Sequence, residues 1–451
     1  SAAISKYFPK LNQPESLTGV NDYTYNSANL IHKNTVSYRV DHYFTEKDRF
    51  LARYSADDTP DRRAGAYRSN PASPSAGPQI FGRRNSVVED THTISPTWIA
   101  TVRYSFTRLS NFRTPFSNGF DITSLGLPAS LARQTYPKAF PDITMAGYSV
   151  NASIPNIITG GLLGATDQIT LGNSVHALQM NSTKVLASHE LKFGGEFRAV
   201  LLNTQQTDAN SPVFNFATSW TQGPNPNVSS ATAGSSVASF LLGIPGGSVQ
   251  PVPALAMTTK YVGLFVADTY KLTSRLTVNY GLRWDFETPR TDRFNQLTNF
   301  DYSAVPPISA PGLNLHGALS FVGVNGKSRY QGNPDYNNFA PRLGIAYKLR
   351  EHTVIRTGGG IFYSNIWGVG TGSAAFGSSG FPRKHIRHHQ SERSQPSYFS
   401  REPVSKWRGS AHRVESRTRY AAGPDDRLLQ PWQSGAVQRS MELQHPASVP
   451  R

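Results

Sequence analysis

Between Leu276 and Glu287 the chain alternates with a period of two. Leu276, Val278, Tyr280, Leu282, Trp284 and Phe286 are apolar or aromatic, and Thr277, Asn279, Gly281, Arg283, Asp285 and Glu287 stand between them. Successive side chains of a strand point to opposite faces, so this segment has one apolar face and one polar face. The alternation lasts about eleven residues, whereas strands of soluble sandwiches run about five or six and a tilted strand crossing hydrocarbon needs about nine to eleven. Trp284 and Phe286 close the apolar face at one end, where a membrane interface gathers aromatic side chains. Upstream, Tyr261 to Tyr270 reads as the paired strand, with Lys271 to Arg275 as a short turn. The competing reading is a long hairpin of a soluble β protein, its apolar face against a core, and only recurrence of the pattern separates the two.

The pattern recurs. Val36, Tyr38, Val40, His42 and Phe44 alternate with Ser37, Arg39 and Asp41; a polar turn at Thr45–Arg49 follows, and Phe50, Ala52 and Tyr54 resume. Ser86 to Ile94 pairs across Ser95-Pro96-Thr97 with a strand carrying Trp98, Ala100, Val102, Tyr104 and Phe106 on one side and Ile99, Thr101, Arg103, Ser105 and Thr107 on the other. From about Val175 to Asn203 a third hairpin turns at Ser188-His189; Leu191, Phe193, Gly195, Phe197, Ala199 and Leu201 oppose Lys192, Gly194, Glu196 and Arg198. Phe339, Pro341, Leu343, Ile345 and Tyr347 alternate with Ala340, Arg342, Gly344 and Ala346, and beyond a turn at Arg350–His352 the segment Thr353 to Trp367 is expected to be a strand bulged at its glycines. Aperiodic stretches rich in Gly, Pro and Ser, at 57–85, 111–170, 211–235 and 295–334, read as long loops, with local helix near Ser130. Short turns therefore alternate with long loops, which is the asymmetry of a barrel threading a membrane.

Bulk properties narrow the alternatives. A chain of 451 residues can form one large barrel, and no run of eighteen apolar residues exists that would make a membrane-crossing helix. A mean hydropathy of −0.41 does not oppose a barrel, because half of each strand faces a polar interior. Cysteine is absent, which removes thiol chemistry and Cys-based zinc sites and is compatible with a periplasmic or outer-membrane route. From Arg383 onward 13 Lys and Arg stand against 6 Asp and Glu, so +7 of the formal +16 lies in that segment. Charge so unevenly placed argues against a uniformly basic nucleic-acid binder. The chain opens on Ser1 without a basic and apolar leader and reads as an internal piece of a longer precursor.

Four segments carry a family resemblance: RVDHYFTEKDRFLARYS (Arg39 to Ser55), HELKFGGEFR (His189 to Arg198), YVGLFVADTYKLTSRLTVNYGLRWDFETP (Tyr261 to Pro289) and NFAPRLGIAYKL (Asn338 to Leu349). They are similar to successive barrel hairpins of TonB-dependent outer-membrane transporters, in particular the Oar-like group common in acidobacteria, and the likeness spans about residues 30 to 380. The resemblance implies an all-β, antiparallel transmembrane barrel of about 22 strands holding an internal plug and energised by TonB. It implies a Gram-negative outer membrane, lipid contact, and import of a scarce solute such as a siderophore, an oligosaccharide or a peptide. This chain supplies about half of such a barrel, shows no readable plug or TonB box, and ends in Val-Pro-Arg, so contact with TonB and plug is expected only through parts outside it.

Residues 1–382 are thus expected to form the partial barrel, and 383–451 a basic tail whose loss of period suggests a shifted reading frame near Pro382; a natural basic arm is the other reading. Lumen-facing candidates are Arg39, Asp41, Arg103, Glu196, Arg198, Arg283, Asp285, Glu287 and Arg342. Lipid-facing candidates are Leu191, Phe193, Phe197, Leu276, Val278, Tyr280, Leu282, Trp284, Leu343 and Ile345. No catalytic set, cofactor site or metal site is expected. His385, His388 and His389 read as an accidental basic run, Gly370, Gly372 and Ala375 lack the helix and acid of a dinucleotide fingerprint, and Gly358 to Gly360 lack the Lys-Ser/Thr of a phosphate loop. The competing functions are a passive porin or structural adhesin, and a soluble basic β protein that binds nucleic acid.

Overall fold

The computed structural model describes the chain except for residues 14–22, 26–27, 29, 64, 66, 68–69, 76, 137, 151–160, 166, 208–210, 224–231, 250–251, 307–310, 366–384 and 388–451. In order, the strands are β1 (Leu30–Ile31), β2 (Asn34–Tyr43), β3 (Asp48–Arg62), β4 (Gln79–Ser95), β5 (Trp98–Arg113), β6 (Asp142–Met145), β7 (Gln168–Leu186), β8 (His189–Thr207), β9 (Val213–Phe216), β10 (Gly246–Val249), β11 (Leu255–Lys271), β12 (Leu276–Glu287), β13 (Thr291–Asp292), β14 (Thr298–Asp301), β15 (Ala318–Phe321), β16 (Phe339–Arg350), β17 (Thr353–Gly360) and β18 (His385–Arg387). Among the described residues three short α-helices, α1 (Ala2–Ser5), α2 (Ala129–Ala132) and α3 (Ser236–Leu242), and a 3-10 turn at Ile122–Leu125 lie outside the long strands. Of two compact units, Ser1–Ser410 and Ala411–Arg451, the second lies wholly outside the described residues, as do most of the basic tail and its reading-frame question.

The long strands form one antiparallel meander, β2-β3-β4-β5-β7-β8-β11-β12-β16-β17, within a sheet of twelve strands. All five expected hairpins are present. Their turns at 44–47, 96–97, 187–188, 272–275 and 351–352 gather at one end of the sheet, and the connections 63–78, 114–167, 208–254 and 288–338 at the other. The two-residue turn at 187–188 needs left-handed backbone to match the twist of its strands, and Ala187 supplies it with φ 49°.

Several strands outrun their apolar alternation. β7 and β8 have 19 residues each, on the order of 60 Å at about 3.3 Å per residue, roughly twice the thickness of a hydrocarbon core. The loop expected over 57–85 accordingly shrinks to 63–78, because Arg83 pairs with Asp57 at 3.0 Å and Arg84 with Asp58 at 2.8 Å, continuing the β3–β4 ladder with charged pairs. The third hairpin likewise extends to Gln168 and Thr207. The glycine bulge expected in β17 is corrected: Gly358 to Gly360 stay in register with β16, and the register shift falls between Lys348 and Arg350. A Cβ on Gly358 or Gly360 would come within 2.9 Å of β16 atoms, so these glycines serve close approach of the strands.

At the loop end the connections fold together with the N-terminal segment. Ile4, Phe140, Ile143, Leu163, Phe214 and Phe240 belong to one buried core, over which β6 pairs parallel with β9 and β9 with β10, while β18 extends the sheet from β10. The expected loop 211–235 thus holds β9, and α3 follows it, its first turn capped by Ser235 accepting from the Ala238 N–H and its end set by Gly243 at φ 69°. The local helix near Ser130 is α2. Tyr67 ties this cap by donating to the Leu162 carbonyl at 2.6 Å, and burial pushes its phenol well above the ordinary value.

Close strand approach makes one glycine costly to change. A Cβ at Gly194 would lie 2.2 Å from the Met180 carbonyl oxygen and 3.0 Å from Phe265, so Gly194→Ala is expected to lower unfolding stability by about 1–3 kcal/mol. Gly359→Ala meets nothing within 4 Å and should be near neutral; denaturant unfolding of the refolded variants checks the contrast.

Candidate functional site: the charged face of the sheet

Residues directly opposite each other in a ladder share a face, so register turns a period of two into continuous rows across the sheet. One row runs Asp41–Leu51–Glu89–Arg103–Gln179–Glu196–Gly263–Asp285, crossing eight strands from β2 to β12. Four carboxylates fall in that single row, and each is met by an arginine. Arg39 reaches Asp41 at 2.6 Å and Arg49 reaches it at 3.3 Å. Arg103 pairs with Glu89, Arg198 with Glu196 at 2.8 Å, and Arg283 with Asp285 at 2.7 Å.

The densest part of this belt lies between β8 and β12. Tyr261 donates its hydroxyl proton to Asp285 and accepts from Arg283 Nη2 at 2.6 Å, while Arg283 also stands 3.9 Å from Glu196. The Arg198 guanidinium lies over the Tyr261 ring at 4.2 Å, a cation–π contact. Gly263 makes the crossing of β11 feasible: a Cβ there would sit 2.4 Å from Arg283 Nη2 and 2.6 Å from the Tyr261 oxygen. The structure therefore brings Arg39, Asp41, Arg103, Glu196, Arg198, Arg283 and Asp285 into one belt. Glu287 sits one register step further toward the loops, opposite Tyr261. Arg342 stands apart, opposite Gly281 and four residues along β12 from Asp285, and stacks on Phe362 at 4.7 Å. The sequence reading missed Glu89 and Tyr261; the two-residue turn alone would set Asp90 opposite Arg103, and the register shift between Thr93 and Ser95 brings Glu89 there instead.

The opposite face collects the apolar set. Phe197–Val262–Phe286, Phe193–Val266–Leu282–Pro341, Leu191–Asp268–Tyr280–Leu343, Val278–Ile345 and Leu276–Tyr347 are rows of direct partners, and Leu264–Trp284–Phe339 completes them. Tyr280 is 47% exposed and Leu343 53%, with Leu276 and Trp284 half-buried, so none of them lies in a compact core. Asp268 breaks the apolar pattern near the short turns and is held by local hydrogen bonds. His189 Nδ1 stands 2.6 Å from its carboxylate, Tyr280 donates to it at 2.8 Å, and the Tyr270 ring stacks on His189 at 4.1 Å. A second His–Asp contact, His92 with Asp48, occupies the same face near another short turn.

The two faces also differ at the loop end. Ile80 and Phe112, on the apolar face, remain 50% and 43% exposed, whereas their neighbours Gln79 and Asp61 on the polar face are buried. The folded connections thus cover the polar face and leave the apolar face bare. Among the described residues no group of three or more His, Cys, Asp or Glu is placed to hold a metal ion.

No curated protein matches the chain in sequence. Among solved structures, the copper transporter OprC aligns at 12% identity over 73% of this chain and 37% of its own, with a TM-score of 0.39. The alcaligin outer-membrane receptor FauA of Bordetella pertussis gives 10% identity, 71% and 34% coverage and 0.36. The ferric-catecholate import receptor Fiu of E. coli K12, in its open form, gives 10%, 73% and 46%, and 0.36. The chain spans between a third and a half of the length of these three proteins. The family model described as outer membrane beta barrel domain matches residues 1–427. With nearly the whole sequence matched, the chain belongs to the outer-membrane β-barrel domain family, and its place is the Gram-negative outer membrane.

Proposed function

We propose that this chain is wall and loop cap of a TonB-dependent outer-membrane receptor, which takes a scarce solute through its long loops and imports it by movement of an internal plug. The observation that carries the proposal is the pairing of a transverse charged belt with a covering of folded loops on the same face. A face that is polar, ion-paired and roofed suits the interior of a barrel that controls passage, and the bare apolar face suits lipid. On this reading Arg39, Asp41, Arg103, Glu196, Arg198, Arg283, Asp285, Glu287 and Arg342 face the lumen. Leu191, Phe193, Phe197, Leu276, Val278, Tyr280, Leu282, Trp284, Leu343 and Ile345 face lipid. The His–Asp contacts near the short turns then sit at the periplasmic interface, where polar groups on the outer face are tolerated.

Among the described residues β2 and β17 each pair on one side only. Unpaired backbone groups in hydrocarbon cost several kcal/mol each, so we propose that further strands of a longer protein close the barrel. Plug and TonB contact belong to those further parts, and the solute is a siderophore, an oligosaccharide or a peptide.

Uptake measurements test the proposal. Cells expressing the gene in its full genomic context receive, separately, a radiolabelled ferric chelate, a maltooligosaccharide and a dipeptide. Uptake of one of the three should collapse when a protonophore removes the proton-motive force that TonB relays. Flux untouched by the protonophore supports a passive porin, and no uptake of any of the three overturns import of these classes.

The belt makes a separate prediction. Arg283→Gln leaves Glu196 and Asp285 facing each other across Gly263 and removes a charged donor to Tyr261. It should lower unfolding stability by about 1–3 kcal/mol, whereas Arg342→Gln, which has no carboxylate partner among the described residues, should change it by less than about 0.5 kcal/mol. Urea unfolding followed by the heat-dependent gel mobility of folded barrels measures both.

A further inference from the structure

Toward the loop end the apolar face stops at a set of cations. Beyond the row Val88–Tyr104–Leu178–Phe197–Val262–Phe286, the next row carries Lys260 opposite Ala199, and the one after it carries Arg84 and Arg108 as direct partners. Arg108 stands ten residues along β5 from Trp98, and Arg84 and Lys260 stand eleven residues along β4 and β11 from Ser95 and Lys271, the residues beside the short turns. The apolar set from Leu276 to Phe286 covers the same ten residues of β12. At about 3.3 Å per residue and a tilt of about 40°, ten residues rise about 25 Å, which is the height of the outward apolar band of a membrane barrel. The three cations therefore stand at its upper edge.

Their charge is not balanced within the sheet. Like charges directly opposite each other in a ladder cost stability unless an anion joins them, and Arg84 and Arg108 are such a pair. Asp58 serves only the first: it accepts from Arg84 Nη2 at 2.9 and 2.8 Å, while Arg84 Nη1 donates to the Asp57 carbonyl at 2.8 Å. Arg108 donates to the Ser174 hydroxyl at 3.2 Å and meets no carboxylate among the described residues. Lys260 is exposed and likewise has no acidic partner among them, and His176, between the two cations, is tied to Tyr104 at 2.8 Å. The Arg108 head is also aimed. A Cβ on Gly172 would come 3.4 Å from Arg108 Nη2, so the guanidinium lies along bare backbone of β7 one row further toward the loops, where Asn203 stands exposed as the partner of Gly172 on β8.

We infer that Arg108, with Arg84 opposite it, binds the phosphate of an outer-leaflet lipid headgroup. A planar guanidinium offers paired donors that match phosphate oxygens, and at the edge of the apolar band the anion a membrane presents is a headgroup phosphate. Lys260 lies three strands from Arg108, about 14 Å along the sheet, and is placed for a second phosphate of the same headgroup. A phosphorylated glycolipid therefore suits the site better than a lipid with a single compact head. The inference rests on the lipid-facing reading of the apolar face above and not on import of a solute, and its test separates the site from that reading.

The protein, expressed from its full genomic context and purified from outer membranes in detergent, is titrated with diphosphoryl lipid A and with the same lipid stripped of its phosphates. The phosphorylated form should bind at least about tenfold more tightly, Arg108→Gln should weaken it by about tenfold, and Lys260→Gln by a smaller factor. Arg108→Lys should retain most of the binding, and Lys184→Gln, a cation of the same face beside a short turn, should leave it unchanged. Heat-dependent gel mobility confirms that each variant is folded. Equal affinity for the two lipids, or Arg108→Gln without effect, overturns the site, and inorganic phosphate competing at the same concentration as lipid A assigns it to the free ion instead. The chain lacks cysteine, so a nitroxide on Leu282→Cys reports the apolar face in the same preparation placed in lipid bilayers. Relaxation by oxygen and not by a water-soluble nickel complex is expected; relaxation by the nickel complex overturns the lipid-facing reading and the site with it, whereas the expected result beside an inert Arg108→Gln overturns the site alone.

Discussion

The structure depends on an unbroken antiparallel ladder. Each strand of the meander from β3 to β16 is hydrogen-bonded on both sides, and register slips at only two points along it, between Thr93 and Ser95 and between Lys348 and Arg350. In hydrocarbon no water can satisfy a free N–H or carbonyl, so the ladder is a condition for crossing a membrane at all. It also fixes which side chains meet. A slip of one residue would carry every apolar side chain of a strand to the charged face.

Because register is held from β2 to β12, carboxylates from four strands that are remote in sequence fall into one row, and arginines on the same or neighbouring strands reach them. Pairing within the belt lowers the cost of carrying charge on a wall covered from the loop end. The glycines of β8 and β11 contribute by being small: Gly194 lets Phe265 pack across β8, and Gly263 lets Arg283 lie across β11. On the reading proposed above the apolar face meets lipid, which is fluid and accepts side chains of any shape.

The loop end obeys other physics. There the strands continue beyond hydrocarbon thickness, held by Arg83–Asp57 and Arg84–Asp58, and the connections build a core of their own from residues as distant as Ile4, Phe140 and Phe240. A core assembled from three connections and the N-terminal segment has no local period. This is why 111–170 and 211–235 read as loop although they hold helix, strand and buried aromatic side chains.

The sequence by itself determined the long strands of the meander, their five short turns, the two faces and the candidates on each, because alternation is local and the turn residues lie next to it. It placed Asp41, Arg103, Glu196 and Asp285 on polar faces one hairpin at a time. Only the tertiary structure decided that they form one row, that Arg342 stands outside it, that Asp268 meets His189, and that Leu297 and Val322 return to cover the wall. Those outcomes depend on which residues face each other across strands and on where a long connection comes to rest. Register and chain return join positions far apart in sequence, and no spacing within a single segment encodes them.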